Sequence, residues 1–259
     1  NDPGYIDRIK NSGPEWLVKA WLEGDWNVAP GAFMEGVWDP QIHVVEPFEI
    51  PLEWKRWKSY DHGFKSPAGC VWFTQDYDGI IYIYKERYWS SKPNKGSETP
   101  IEEIAREILD AEKQEKQKKI KFKSNVADSA IFIRDGRHKS VADVFADYGI
   151  VWEPSSKGPG SRVQGLQEMV DRLSNNSLKV FKTCKHWLRT VPSLPADPKR
   201  VEDIDTSAED HLFDATRYGL MLRRARSVKP KPKPKQLKPF TFEWLDKIDE
   251  LYREESWQI

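Results

Sequence analysis

Among 259 residues, 41 lysines and arginines balance 41 aspartates and glutamates, so no global positive field marks the chain for nucleic acid, and any such contact must come from local patches. Two cysteines, Cys70 and Cys184, exclude a disulfide framework and a four-cysteine zinc site, and no apolar run approaches the length of a membrane span. A chain of this length holds one main domain with appendages, and these features together are those of a soluble intracellular protein.

The amino terminus, Asn1-Asp-Pro-Gly4, has neither the charged flank nor the apolar stretch of a signal peptide and does not begin with methionine, so the chain reads as a piece of something longer. Pro14 to Glu23 places Trp16, Leu17, Ala20 and Trp21 at helical spacing, with Gly24 as a stop. From Asp25 to Pro47, prolines and glycines punctuate a run that reads as a connector wrapped on a surface, with its tryptophans as packing anchors.

Arg56 to Gly63, Ser66 to Thr74 and Ile80 to Glu86 are rich in aromatic and β-branched residues, and Asp78-Gly79 is a turn signal. The pattern predicts a three-strand antiparallel meander with Asp61 at the end of its first strand. A carboxylate at a strand end presents a metal ligand from a rigid element, although Asp and Gly are also ordinary turn residues. Thr99 then caps a helix running to about Lys116, with Pro100 at its first position and Ile101, Ile104, Ala105 and Ile108 on one face. Lys113, Lys116, Lys118 and Lys119 suit the negative end of its dipole and read as a solvated face. Ile120 to Asp128 reads as a strand returning beside the meander after a helical crossover, closed by Asp128.

Two aspartates closing adjacent strands repel one another, and a divalent cation is the natural remedy. Arg137 to Asp147 reads as a helix, Ile150 to Glu153 as a short strand and Arg162 to Leu173 as another helix. Between them, Pro154 to Arg162 has the composition of a phosphate loop but lacks the Gly-Lys-Ser/Thr ending, so a loop whose Lys157 and Arg162 touch a nucleic-acid backbone is the better reading. Ser207 is the expected N-cap of a last helix with Leu212, Ala215, Tyr218 and Leu222 along its buried face. Asp210, His211 and Asp214 project from its first turns at spacings that let pairs converge on one ion, although acids in a first turn also simply complement the dipole.

Together, Trp26 with Gly31-Ala-Phe33, Tyr60-Asp-His-Gly63, Val126-Ala-Asp128 and Glu209 to Tyr218 resemble the nuclease domain of viral terminase large subunits, the DNA-packaging motors of tailed bacteriophages and herpesviruses. The resemblance covers roughly residues 15 to 225 and lies in the order and context of the acids rather than in one motif. It implies an α/β, ribonuclease H-like fold, a mixed sheet flanked by helices whose strand ends gather carboxylates around two divalent metal ions. It implies endonucleolytic cutting of concatemeric double-stranded viral DNA, with Asp61, Asp128 and Asp214 as catalytic residues and metal ligands drawn from Asp61, Asp128, Asp210, His211 and Asp214. Family members differ in which acid of the last helix is used, and His211 stands where some carry a second acid, so the choice among Asp210, His211 and Asp214 stays open.

Oxygen ligands favour Mg²⁺ or Mn²⁺ over zinc, and two such ions activate a water and stabilise the leaving 3′ oxygen of a phosphodiester. Lys65, Lys157, Arg162, Lys179, Lys182 and Lys185 are the expected phosphate contacts, which bind without reading sequence. No Gly-x-x-x-x-Gly-Lys-Ser/Thr occurs, so the ATPase half of such a motor is expected outside these residues. Residues 1–50 are then a connector from that ATPase, 51–226 the nuclease domain, and 227–259 a tether, Lys229-Pro-Lys-Pro-Lys-Pro-Lys235, leading to an amphipathic helix over 240–257. That helix packs back on the domain or docks on the portal. Further partners implied are the small terminase subunit and the procapsid portal, with no membrane, in the host cytoplasm and transiently at the portal. Two other readings remain: another ribonuclease H-like nuclease such as a Holliday-junction resolvase or transposase core, and a non-catalytic DNA-binding module with structural acids.

Overall fold

The computed structural model describes residues 32–134, 136, 138–156, 158, 160–197 and 203–222. The helix expected over 14–23, Trp26, Lys157 and the tether and helix after 226 lie outside them.

Within the stretch read as connector, Asp39 caps α1 (Pro40–His43), which runs directly into β1 (Val44–Val45). Trp38 stacks on His43, and the His43 Nε2 donates to the Leu173 carbonyl at 2.9 Å, so these residues pack into the main core. The expected meander is present as β2 (Lys55–Asp61), β3 (Ala68–Gln75) and β4 (Ile81–Lys92), with Asp61 opposite Gly69. The Asp76 carboxylate closes the second turn by accepting the amides of Asp78 and Ile80. Short β5 (Lys95–Gly96) folds back on the far end of β4.

The helix expected from Thr99 is divided into α2 (Ile101–Ala111) and α3 (Lys113–Gln117). The break falls at Glu112, whose carboxylate turns inward to Lys58 and to the Trp72 indole. Pro100 occupies the cap, and the Thr99 hydroxyl bonds Ser97 instead. Strand β6 (Phe122–Ala127) then returns parallel to β2 as expected, and Asp128 caps a 3₁₀ turn over Ser129–Phe132. Helix α4 (Val141–Asp147) starts where Ser140 and Asp143 form a reciprocal capping box. It is followed by β7 (Glu153–Pro154), α5 (Ser161–Ser174), β8 (Leu178–Phe181), α6 (Lys185–Thr190) and α7 (His211–Met221). The sequence reading places neither β8 nor α6, each being only two repeats or fewer long.

The sheet order is β1-β8-β4-β3-β2-β6-β7. Along this order only β3 runs against its neighbours, with β5 antiparallel to β4 off the path, so the sheet is mixed, and β2 and β6 end side by side. Alternation along β2 decides what each face meets. Trp57 and Asp61 share one face, where the Trp57 indole donates to the Gly219 carbonyl of α7 at 2.9 Å. Lys58 and Tyr60 share the other, where Tyr60 meets Phe145 of α4 and stacks on Trp152. Helix α7 lies close on β3 because two glycines let it: a Cβ at Gly69 would come within 2.9 Å of the Leu212 side chain, and one at Gly219 within 2.4 Å of Phe73.

Candidate active site

Three elements carry acids to one end of the sheet. Asp61 closes β2, Asp128 follows β6 with its amide bonded to the Tyr60 carbonyl at 3.0 Å, and α7 points its first turn at both. Because Asp61 lies on the α7 face, its buried Oδ2 receives the Nδ1–H of His211 at 3.1 Å. The Asp61 carboxyl is pushed up to about 7, first by burial and then by the charges of Asp214 and Asp128, against the opposing pull of His211. Burial works to lower the His211 imidazole, yet the hydrogen bond to Asp61 and the charges of Asp61, Asp210 and Asp214 hold it above its usual value. Tyr218, two turns into α7, is pushed up by burial and by Asp214, Asp61 and Asp128, so its hydroxyl stays neutral at physiological pH.

Asp210 sits at the cap position of α7 but makes no side-chain cap bond, which corrects the expected Ser207 cap. Its carboxylate is instead drawn to Arg162 at 2.9 Å, and burial with the neighbouring Asp214 raises its pKa. Asp214 accepts from the Arg217 Nε at 2.8 Å and faces Arg162 at 3.7 Å. Asp61, Asp128, His211 and Asp214 are therefore brought together, with Asp210 at their margin.

The expected phosphate contacts are dispersed. Lys65 is exposed in the loop after Asp61, and that loop is pinned because the Gly96 amide donates to the Lys65 carbonyl at 2.8 Å. Arg162 is turned inward to Asp203, Asp210 and Asp214. Lys179 lies on β8, three strands from β2, about 14 Å across the sheet at the usual strand spacing, and pairs level with the start of β2 rather than its end. It donates to the Ile42 carbonyl, Lys182 pairs with Glu46 at 2.7 Å, and Lys185 opens α6. The structure does not bring Lys179 and Lys182 to the acids. Sequence reasoning missed the bidentate Arg189–Glu209 pair, with Tyr88 donating to the same carboxylate, which anchors the segment entering α7. Only the unassigned charge of Glu209 beside Asp210 hinted at it.

The donor chemistry fits a hard divalent cation, since clustered carboxylates raise one another's pKa and an ion relieves that. Among the described residues, no three His, Cys, Asp or Glu side chains are grouped as a ready ligand set, and His211, Arg162 and Arg217 take oxygens of Asp61, Asp210 and Asp214.

The mixed sheet with β3 reversed and helices packed on it is the α/β, ribonuclease H-like fold expected from the sequence. No family model matches the chain. In sequence it is 25% identical over 201 residues to the terminase large subunit of Salmonella phage P22, an alignment of 74% of this chain and 36% of that protein. In fold it matches the P22 large terminase nuclease domain with a TM-score of 0.56 at 21% identity, covering 77% of this chain and 96% of that one. The large terminase of a thermophilic bacteriophage matches at 0.59 and 20% identity, over 85% of this chain and 51% of that one. The large terminase nuclease of another thermophilic phage, G20c, with bound cobalt matches at 0.50 and 9% identity, over 74% and 97%. The chain thus spans about a third of the curated relative's length. Its fold is that of phage large-terminase nuclease domains, and the resemblance read in the sequence is borne out.

Proposed function

We propose that the chain is the nuclease part of a phage DNA-packaging terminase, a divalent-metal-dependent endonuclease that cuts double-stranded viral DNA with low sequence specificity. The observation that supports this most is the crowding of Asp128 and Asp214 on a buried Asp61 whose carboxyl is pushed up to about 7. Asp61, Asp128 and Asp214 would hold the ions, with Asp210 and His211 as flanking donors, and the cobalt bound by the G20c nuclease supports a divalent ion in a related fold. Bound Mg²⁺ or Mn²⁺ supplies activation of a water and stabilisation of the departing 3′ oxygen.

The chain's own residues do the positioning. His211 orients the Asp61 carboxylate through its Nδ1–H, and the close approach of α7 over Gly69 keeps that geometry tight. Lys65, exposed in the loop that follows Asp61, would offer a phosphate contact, and such contacts carry no base readout, which is why specificity should be low. On this reading residues 1–50 lead from an ATPase part, 51–226 cut, and 227–259 tether the domain, with the small terminase subunit and portal as partners.

Asp61→Asn should lower plasmid cleavage in Mn²⁺ by about 10⁴-fold, roughly 5 kcal/mol in the barrier, and Asp128→Asn should behave alike. Full activity of Asp61→Asn at the same Mn²⁺ concentration would refute the site. Preference for a four-way junction over linear and supercoiled DNA would instead place the chain among resolvases.

A further inference from the structure

Arg162 stands in the first turn of α5 with its guanidinium spread over three carboxylates. Nε lies 3.1 Å from Asp203 Oδ1, Nη2 lies 2.9 Å from Asp210 Oδ2 and Nη1 lies 3.7 Å from Asp214 Oδ2. A planar fork with five donors can hold several acids at once, which an ammonium cannot. Asp203 is 4% exposed and belongs to none of the strand-end acids, so it anchors the fork from outside the site, while the Arg162 side chain keeps 26% exposure. An oxygen engaged by a guanidinium N–H is withheld from a metal ion.

We infer that Arg162 is a positioning residue that sets metal occupancy. It holds Asp210 as an internal cation and stands 3.7 Å from Asp214, whose other oxygen Arg217 takes at 2.8 Å, so a divalent ion gains Asp210 and the facing oxygen of Asp214 only as Arg162 yields them. The partly exposed guanidinium has one natural competitor for its acids, the phosphate of bound DNA, so DNA binding and metal binding are coupled and each strengthens the other. This inference rests on the proposed nuclease site and adds a restraint on metal loading before DNA is bound.

Mn²⁺ titration of the whole chain without DNA, followed by the electron paramagnetic resonance signal of the free ion, tests it. Arg162→Gln should bind Mn²⁺ about tenfold more tightly than wild type. Arg162→Lys, which keeps the charge and loses the fork, should fall between them, and Asp203→Asn, which loosens the anchor without touching a site acid, should shift the same way by less. A 20-base-pair duplex should tighten Mn²⁺ binding by wild type and have little effect on Arg162→Gln. An unchanged or weaker Mn²⁺ affinity in a folded Arg162→Gln overturns the inference, as does an Arg162→Lys identical to wild type, which would leave only bare charge. If Arg162→Gln fails to fold, Asp203→Asn decides by the same measure. Asp61→Asn separates the two levels: if it leaves Mn²⁺ binding intact, the nuclease site itself fails, whereas loss there with no effect of Arg162→Gln overturns the restraint alone.

Discussion

Two clusters of buried charge lie on opposite faces of β2 and are balanced differently. On the Lys58 face two cations each have an anion: Lys58 pairs with Glu112, with side chains 3% and 4% exposed, and Lys85 pairs with Glu115 at 2.7 Å, while Arg56 donates to the Ile50 and Pro51 carbonyls. The Trp72 indole donates to the same oxygen of Glu112, and Lys58 also lies over the Trp152 ring at 5.3 Å. Around Asp61, by contrast, burial and the charges of Asp214 and Asp128 outweigh the pull of His211, and the carboxyl of Asp61 rises to about 7. A matched buried pair holds α2 and α3 against the sheet, whereas a carboxyl raised by burial and like charges is one that an external cation would stabilise.

The contrast breaks most visibly in stability. Glu112→Ala leaves Lys58 buried without a counterion and should cost about 3–5 kcal/mol in urea unfolding. Asp61→Asn should cost nothing at about pH 8 without divalent ions and should raise the melting temperature slightly, because the variant no longer buries a charge among like charges. Equal losses in the two variants would erase the distinction.

A third buried carboxylate sharpens it. Glu86 accepts the His186 and Trp187 amides at the start of α6, yet burial outweighs those bonds and its carboxyl rises to about 7 from an ordinary 4.5. The folded state therefore holds this proton more tightly than the unfolded chain does. Its contribution is fully present below about pH 4.5 and is lost as pH climbs through about 7, by about 3 kcal/mol. Wild type should lose melting temperature between about pH 5 and 8, and Glu86→Gln should flatten that decline. A slope unchanged in the variant would assign it to another group.

Within the acidic cluster, His211→Ala should weaken Mn²⁺-dependent cleavage by about tenfold without abolishing it, since an imidazole is a secondary donor to a hard cation and here acts mainly by orienting Asp61. An inactive His211→Ala beside an unaffected Asp214→Ala would reverse the ranking of the two. The smallest effects concern phosphate contacts. Lys65→Ala should reduce the slope of DNA affinity against salt by about 1, while Lys179→Ala with Lys182→Ala should leave affinity within about twofold, because those lysines face Ile42 and Glu46.

Read alone, the residues determine the local pieces: the β2-β3-β4 meander from its aromatic and β-branched runs, β6 from its apolar return, α4 and α5 from helical periodicity, and acids closing β2 and β6. Each follows from interactions within a few positions, where alternation and caps act. The division at Glu112 and the bare cap at Asp210 were not legible, because Lys58 and Arg162 draw Glu112 and Asp210 out of their local roles. Only the tertiary structure decides that His211, 150 residues along the chain, is the helix residue bonded to Asp61. It likewise turns Arg162 from the surface to the acids and sets β8, with Lys179, three strands from β2. Those outcomes depend on which strand edges pair and how closely α7 can approach Gly69, quantities fixed by packing between distant segments and carried by no local pattern.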